Sequence, residues 1–282
     1  MTRQPSLSTR SLGVLSVHLD GNRCRVGCEY CYLGAREGGE SGPLPETLVE
    51  DALARLAYDE VAVAVSEPAA DALPALHAIA RAAHAHGRPV AVTTTLQVAA
   101  STPGLLDGIE RVNLSVDPRK GRVSPARINQ LARLLHAGTP RPDVVLIVSL
   151  TTPEFAARLV EGGLLAELVD LPDVDKVALN ALKPPPPWCD RAFWLRTLGV
   201  LSPLLDRALD RRLFLDCYVA ARILGLGGCP ARADLSAAPG GGLAFRGCVY
   251  QPAPDFVAAD GAELAARLTD FTPPPVCPFP IV

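Results

Sequence analysis

Three cysteines stand close together near the start of this 282-residue chain, in the sequence CRVGCEYC, at Cys24, Cys28 and Cys31. Thiolates at this spacing suit three corners of a [4Fe–4S] cube and leave one iron open to a ligand that is not protein. Charged residues and a glycine surround the thiols, so inert buried cysteines are a poor alternative. Structural zinc is the other alternative, but it takes four protein ligands and no fourth lies nearby. The run therefore predicts an iron–sulfur site.

With Tyr30 before the third cysteine, the run resembles the signature of the radical S-adenosylmethionine (radical SAM) superfamily. The resemblance implies that Cys24, Cys28 and Cys31 hold a [4Fe–4S] cluster and that Tyr30 lies against the adenine of S-adenosylmethionine (SAM). It also implies reductive cleavage of SAM to a 5′-deoxyadenosyl radical, which abstracts hydrogen from a substrate. SAM, the substrate and an electron donor such as flavodoxin or ferredoxin are then the expected partners.

Further residues are expected to bind SAM by the same resemblance. Ser66 and Glu67 lie in a Val-Ser-Glu-Pro sequence where the family has Gly-Gly-Glu-Pro, so they are expected at the SAM amine. A solvated acid at a strand end is the alternative for Glu67. Asn113 and Ser115 alternate along a predicted strand, and such polar pairs favour a wet or liganded cavity. Asn180 ends a later predicted strand and is expected at the cofactor or substrate.

Short apolar runs alternate with amphipathic Ala- and Leu-rich stretches about six times, which predicts an α/β fold with parallel strands. The radical SAM resemblance favours a partial (β/α)6 TIM-like barrel, whereas periodicity alone leaves a doubly wound open sheet as an alternative. The predicted strands are 12–19, 60–65, 89–95, 111–116, 144–150 and 176–182. The predicted helices between them are 45–57, 72–86, 125–136 and 153–168.

A proline run divides the chain into a predicted barrel core, 1–183, and a loop-rich C-terminal extension, 184–282. The extension is expected to contain a helix at 191–211, a strand at 213–216 and a helix at 263–268. It also resembles a reduced form of the SPASM and twitch extensions, which carry auxiliary iron–sulfur clusters. Buried inert thiols are the alternative. The expected ligands of a second cluster are Cys217, Cys229, Cys248 and Cys277, with Cys189 as the alternative fourth ligand.

Composition narrows the classes of function. The formal net charge is −3 and no basic run contains interleaved aromatic residues, so no nucleic-acid groove is indicated. No secretory signal or membrane-length apolar run appears, so we expect a cytoplasmic protein without a membrane partner. The eight cysteines then fit thiolate ligands in a reducing compartment better than disulfides. His18, alone on the first predicted strand, is interpreted as structural.

These observations predict a radical SAM enzyme that acts on a peptide or protein side chain. A radical SAM step on a small-molecule biosynthetic intermediate is the first alternative. A metal-binding module without turnover is the second.

Overall fold

A computed structural model shows an α/β fold with a mostly parallel sheet. It describes residues 12–19, 44–65, 69–118, 123–137, 140–182, 186–208, 212–215, 233–248, 250–251 and 253–271. The strands are β1 (Val14–His18), β2 (Glu60–Ala64), β3 (Val90–Thr95), β4 (Arg111–Val116), β5 (Asp143–Ser149), β6 (Lys176–Asn180), β7 (Leu213–Leu215), β8 (Asp234–Ala237), β9 (Leu243–Arg246) and β10 (Phe256–Ala258). The helices are α1 (Glu46–Arg55), α2 (Ala69–Ala85), α3 (Leu96–Ser101), α4 (Pro125–Leu135), α5 (Pro153–Val160), α6 (Leu164–Val169), α7 (Arg191–Ala208) and α8 (Gly261–Asp270).

The described residues fall into two compact units. Unit 1 lies within Met1–Thr93, Thr102–Glu110 and Pro230–Pro274. Unit 2 lies within Thr94–Ser101, Arg111–Cys229 and Pro275–Val282. Each unit has its own strands and helices.

In unit 1 the strands follow the order β10-β9-β8-β1-β2-β3. β1 pairs in parallel with both β2 and β8, whereas β9 runs antiparallel to β8 and β10. The turn between β8 and β9 contains three consecutive glycines with φ of 87°, 102° and 86°, a region that only glycine enters at little cost. Helix α1 packs against α8 and α2. Residues from the two ends of the chain therefore share one core.

In unit 2 the order is β4-β5-β6-β7, and all of the pairings are parallel. In parallel strands the carboxyl ends lie at one edge of the sheet, which is where loops and ligands usually gather in α/β proteins. Helix α5 follows directly after β5, where the Thr152 hydroxyl caps it by accepting a hydrogen bond from the Phe155 N–H at 3.1 Å. This cap fixes where the chain leaves the sheet edge.

The predicted elements from the first strand to the sixth are confirmed, with one helix divided. The expected helix 153–168 is two helices, α5 and α6, because Gly163 between them adopts a left-handed φ of 72°. The α/β class with a mostly parallel sheet is confirmed, and the described pairings do not show that the sheet is closed.

The predicted extension contains more regular structure than its loop-rich composition suggested. β7, α7 and α8 correspond to predicted elements, whereas β8, β9 and β10 were not predicted. Strands of three or four residues with no clear alternation leave too weak a pattern to detect. The division at residue 183 stays a prediction. No helix in the described part of the chain is long and apolar enough to cross a membrane.

Candidate functional site

The strands of unit 2 have two different faces. On one face, eight apolar side chains from β4, β5 and β6 have no exposed surface. They are Val112, Leu114, Val116, Val144, Leu146, Val148, Val177 and Leu179. The other face carries mostly polar and charged residues together with a few aliphatic ones, and most of its side chains are half-buried. The first face is therefore core, whereas the second is partly exposed to solvent.

Three polar side chains lie on the half-buried face at the carboxyl ends of neighbouring strands. They are Ser115 on β4, Ser149 on β5 and Asn180 on β6, and together we call them the β4–β6 strip. Ser149 is paired with Asn180 in the parallel register, and Ser115 is paired with Ile147, two residues before Ser149. In the described part of the chain, the side chains in the strip make no hydrogen bond. Two hydroxyls and one amide are thus available to a ligand.

Beyond the strip, polar side chains are used by the protein itself. The Thr151 hydroxyl donates to Asp117 Oδ1 over 3.4 Å, and both residues are buried. Thr152 caps α5, and the Thr95 hydroxyl accepts a hydrogen bond from the Val98 N–H at 3.1 Å. The hydroxyls of Thr95, Thr151 and Thr152 thus already have partners within the protein.

Small side chains leave room beside the strip. Ala178 lies next to Ile147 in the register, and both are half-buried. A barrel interior that fills itself carries bulky branched side chains in successive layers. Ser115, Ser149 and Ala178 are smaller than such side chains and occupy less of the space above this face than they would.

Three of the residues predicted to bind SAM or the substrate lie in unit 2. Ser115 and Asn180 belong to the strip, and Asn113 lies two residues before Ser115 on the same face, where it is buried. The structure brings them to one face of adjacent strands, and their binding role stays a prediction.

The other predicted site residues are placed differently. Among the predicted ligands of a second cluster, Cys248 is buried in unit 1 after β9, and the alternative ligand Cys189 is buried in unit 2 before α7. The remaining predicted residues lie outside the described residues. They are Tyr30, Ser66, Glu67, Cys24, Cys28, Cys31, Cys217, Cys229 and Cys277.

Unit 1 contains a buried polar network that sequence reasoning missed. His18 Nε2 lies 2.9 Å from Asp234 Oδ1, and Arg246 Nη1 lies 3.4 Å from Asp234 Oδ2. The same Arg246 nitrogen donates to Ser236 Oγ at 2.8 Å. All four side chains are buried, and Asp234 has no exposed surface. We call these four residues the β1–β8–β9 network.

The network pairs buried charged groups, each of which would cost free energy if it were buried without a partner. Arg246 compensates the carboxylate of Asp234, and His18 Nε2 lies beside the same group. Burying an ion pair costs desolvation, which is offset when further hydrogen bonds hold both partners. His18 was expected to be structural, and its partner Asp234 begins a strand that the sequence pattern did not reveal. The two residues are brought together only by the parallel pairing of β8 with β1, which no local sequence pattern reports.

Comparison with known proteins identified no family. No family model matches the chain, and no curated protein matches it either. Among solved structures, the chain is similar to an HpcH/HpaI aldolase from Desulfitobacterium hafniense DCB-2, with 14% identity and a TM-score of 0.36, over 74% of this chain and 88% of that one. A likeness at this level carries no argument about function.

These findings correct the predicted function. The predicted membership of the radical SAM superfamily is wrong, because no family model matches the chain. The described residues also contain no group of three or more His, Cys, Asp or Glu side chains that could hold a metal ion. The radical SAM enzyme and its alternatives, a radical SAM step on a small molecule and a metal-binding module, are therefore withdrawn. The [4Fe–4S] cluster, the auxiliary cluster and SAM as cofactors are withdrawn with them.

Proposed function

We propose that this protein binds a small neutral polar molecule, such as a sugar or a polyol, on the β4–β6 strip. The observation that carries the proposal is that Ser115, Ser149 and Asn180 are half-buried and adjacent, and that none of their side chains is hydrogen-bonded within the described residues. Half-buried polar groups are stabilised when a ligand supplies the hydrogen-bond partners that the protein does not.

The charges around the strip favour a neutral ligand. Asp117 is buried and accepts the hydrogen bond of Thr151. Lys176 begins β6, four residues from Asn180 and so about 13 Å along the strand. The strip itself contains only hydroxyl and amide groups, which recognise hydroxyls and carbonyls of a ligand without needing a counter-charge.

We also propose a partial (β/α)6 barrel core and a C-terminal extension for this chain. A partial (β/α)6 barrel core within 1–183, followed by an extension within 184–282, would place the strip at the carboxyl ends of its strands. Ligands bind there in proteins of this architecture. The proposed partner is a small molecule, because the free groups occupy only three neighbouring strand ends, and the proposed location is the cytoplasm.

A thermal-shift screen of the full chain tests the proposal. Hexoses, pentoses, polyols and nucleosides are added separately at about 10 mM. A ligand at about 100 times its Kd stabilises the folded state by about 2.7 kcal/mol, which raises Tm by roughly 5 °C. We expect at least one compound of this class to do so.

The double variant Ser149→Ala/Asn180→Ala identifies the site of any such effect. It removes one hydroxyl and the amide from the strip, so we expect the ligand to bind at least about tenfold more weakly. A matched control, Ser101→Ala/Gln130→Ala, changes exposed helical residues of unit 2 and should bind like the wild type. No hit in the screen, or equal binding by the strip variant, would overturn the proposal.

A further inference from the structure

A groove of about 570 Å³ lies between α5 and α7 in unit 2. Its lining includes Ala156, Ala157 and Glu161 from the α5 side, and Trp188, Phe193 and Arg196 from the α7 side. We call it the α5–α7 groove. A volume of this size is within the range of small-molecule sites, roughly 300 to 1,000 Å³.

One wall of the groove is aromatic and held in place. The rings of Trp188 and Phe193 meet edge to face, with centroids 5.4 Å apart. Asp190 fixes the start of α7, because its Oδ1 accepts a hydrogen bond from the Phe193 N–H at 2.6 Å. Ala156 and Ala157 also line the groove, and their small side chains leave room for a planar or bulky apolar group. The wall therefore favours a ligand with a large apolar or aromatic part.

Two opposite charges line the same groove. Glu161 and Arg196 are exposed, and neither forms an ion pair or side-chain hydrogen bond within the described residues. A guanidinium binds a carboxylate strongly, often through two parallel hydrogen bonds. A carboxylate in turn attracts an ammonium group. A ligand that complements both residues carries one group of each sign.

We propose that the α5–α7 groove binds a free α-amino acid with an aromatic side chain. Its carboxylate would contact Arg196 and its ammonium Glu161, while its ring lies against Trp188 and Phe193. This class combines the three features of the lining in one molecule, whereas an apolar helix or peptide segment leaves the two charges without partners. The site is separate from the β4–β6 strip and does not depend on the function proposed for it.

Titration of the full chain with L-phenylalanine tests the inference, with tryptophan fluorescence as the readout. The probe has no tryptophan, and the chain has two, Trp188 and Trp194. For a ligand of this size we expect a Kd on the order of 1 mM or tighter. The fluorescence change should disappear in Trp188→Phe, which keeps an aromatic ring in the wall. Absence of binding by isothermal titration calorimetry at about 20 mM probe would overturn the proposal.

Two analogues separate the charged contacts. 3-Phenylpropionate lacks the ammonium group and phenethylamine lacks the carboxylate, so each should bind about tenfold more weakly than L-phenylalanine. If both bind as tightly as the amino acid, the groove is a general apolar site and the proposal is wrong.

Charge-removing variants then assign each contact. Arg196→Gln should weaken the binding of L-phenylalanine and 3-phenylpropionate by about tenfold and leave the binding of phenethylamine unchanged. Glu161→Gln should weaken the binding of L-phenylalanine and phenethylamine by about tenfold and leave the binding of 3-phenylpropionate unchanged. Arg191→Gln and Glu167→Gln are matched controls, because both residues are exposed and lie outside the groove lining. Equal weakening by a variant and its control would contradict the assignment.

Discussion

Polar side chains on the strands differ between the two units in their burial and in their hydrogen bonding. In unit 1, His18, Asp234 and Arg246 are buried and bonded to one another. In unit 2, Ser149 and Asn180 are half-buried and make no side-chain hydrogen bond within the described residues. Polar side chains on strands are thus paired within the protein in one unit and without a protein partner among the described residues in the other.

Whether a polar group is paired within the protein indicates whether it contributes to stability or to binding. A buried polar group without a partner costs free energy, so a network in which every member has a partner contributes stability and a unique arrangement. A partly exposed group without a protein partner is bonded to water, which a ligand can replace. We therefore assign the β1–β8–β9 network to stability and the β4–β6 strip to binding.

The largest expected effect is the loss of Asp234 in unit 1. Asp234→Ala leaves His18 and Arg246 buried without their carboxylate, and breaking such a pair costs about 3–5 kcal/mol. We expect the free energy of unfolding, measured with urea, to fall by that amount and Tm to fall by roughly 10 °C.

Asp143→Ala is the control for that variant, because Asp143 begins β5 and is exposed. Its expected effect on the free energy of unfolding is within about 0.5 kcal/mol. If the two variants lose similar stability, the network is not the stabilising element that the comparison requires.

Tyr58 in unit 1 is an exception to the rule that buried polar groups of this unit are paired. Its hydroxyl is buried without a hydrogen-bond partner in the described part of the chain, and burial raises the pKa of the phenol. Tyr58→Phe removes the unpaired group and keeps the ring, so we expect the free energy of unfolding to rise by about 1 kcal/mol. A decrease in urea unfolding experiments would show that the hydroxyl has a stabilising partner.

The strip should behave in the opposite way to the network. Asn180→Ala removes an amide that bonds to no side chain or backbone group of the described residues. We expect the free energy of unfolding without ligand to change by less than about 0.5 kcal/mol. A loss of several times that amount would place Asn180 in the stabilising structure and not in a binding site.

The smallest expected effect concerns an exposed carboxylate in unit 1. The hydrogen bond from the Ala259 N–H, followed by that from the Arg267 side chain, lowers the pKa of Glu263. An acid with a lowered folded-state pKa stabilises the protein above its unfolded-state pKa, about 4.3, and this contribution is lost as pH falls through the folded-state value.

Glu263→Gln tests this pH dependence. The wild type should be slightly more stable than the variant at pH 7, and the difference in urea midpoint should shrink as the pH is lowered toward 3. A difference that grows on acidification would contradict the lowered pKa.

Local patterns in the sequence predicted most of the fold. The repeated strands and helices up to β6 follow from periodicity in short windows, since each pattern is contained in a few neighbouring residues. The pairing of β8 with β1 joins residues from opposite ends of the chain, and no local pattern reports such a contact. Asp234 and Arg246 could therefore not be predicted from the sequence as neighbours of His18.

The candidate site was predicted only in part. Alternation along β4 and the polar end of β6 indicated Ser115 and Asn180, because residues two apart on a strand share a face. The family assignment was wrong because it depended on one short cysteine run, and a motif match is a hypothesis that needs its structural context. A few thiols determine neither the arrangement of the other elements nor the reaction.

The most direct test compares ligand affinity and stability in two variants. With a hit from the thermal-shift screen, isothermal titration calorimetry and urea unfolding are measured for Ser149→Ala/Asn180→Ala and for Ser236→Ala, which removes the hydroxyl that Arg246 contacts. We predict that the strip variant binds at least about tenfold more weakly with unchanged stability, and that Ser236→Ala keeps its affinity but loses about 1 kcal/mol of stability. Weakened binding in Ser236→Ala together with full affinity in the strip variant would contradict the assignment of binding to unit 2 and stability to unit 1.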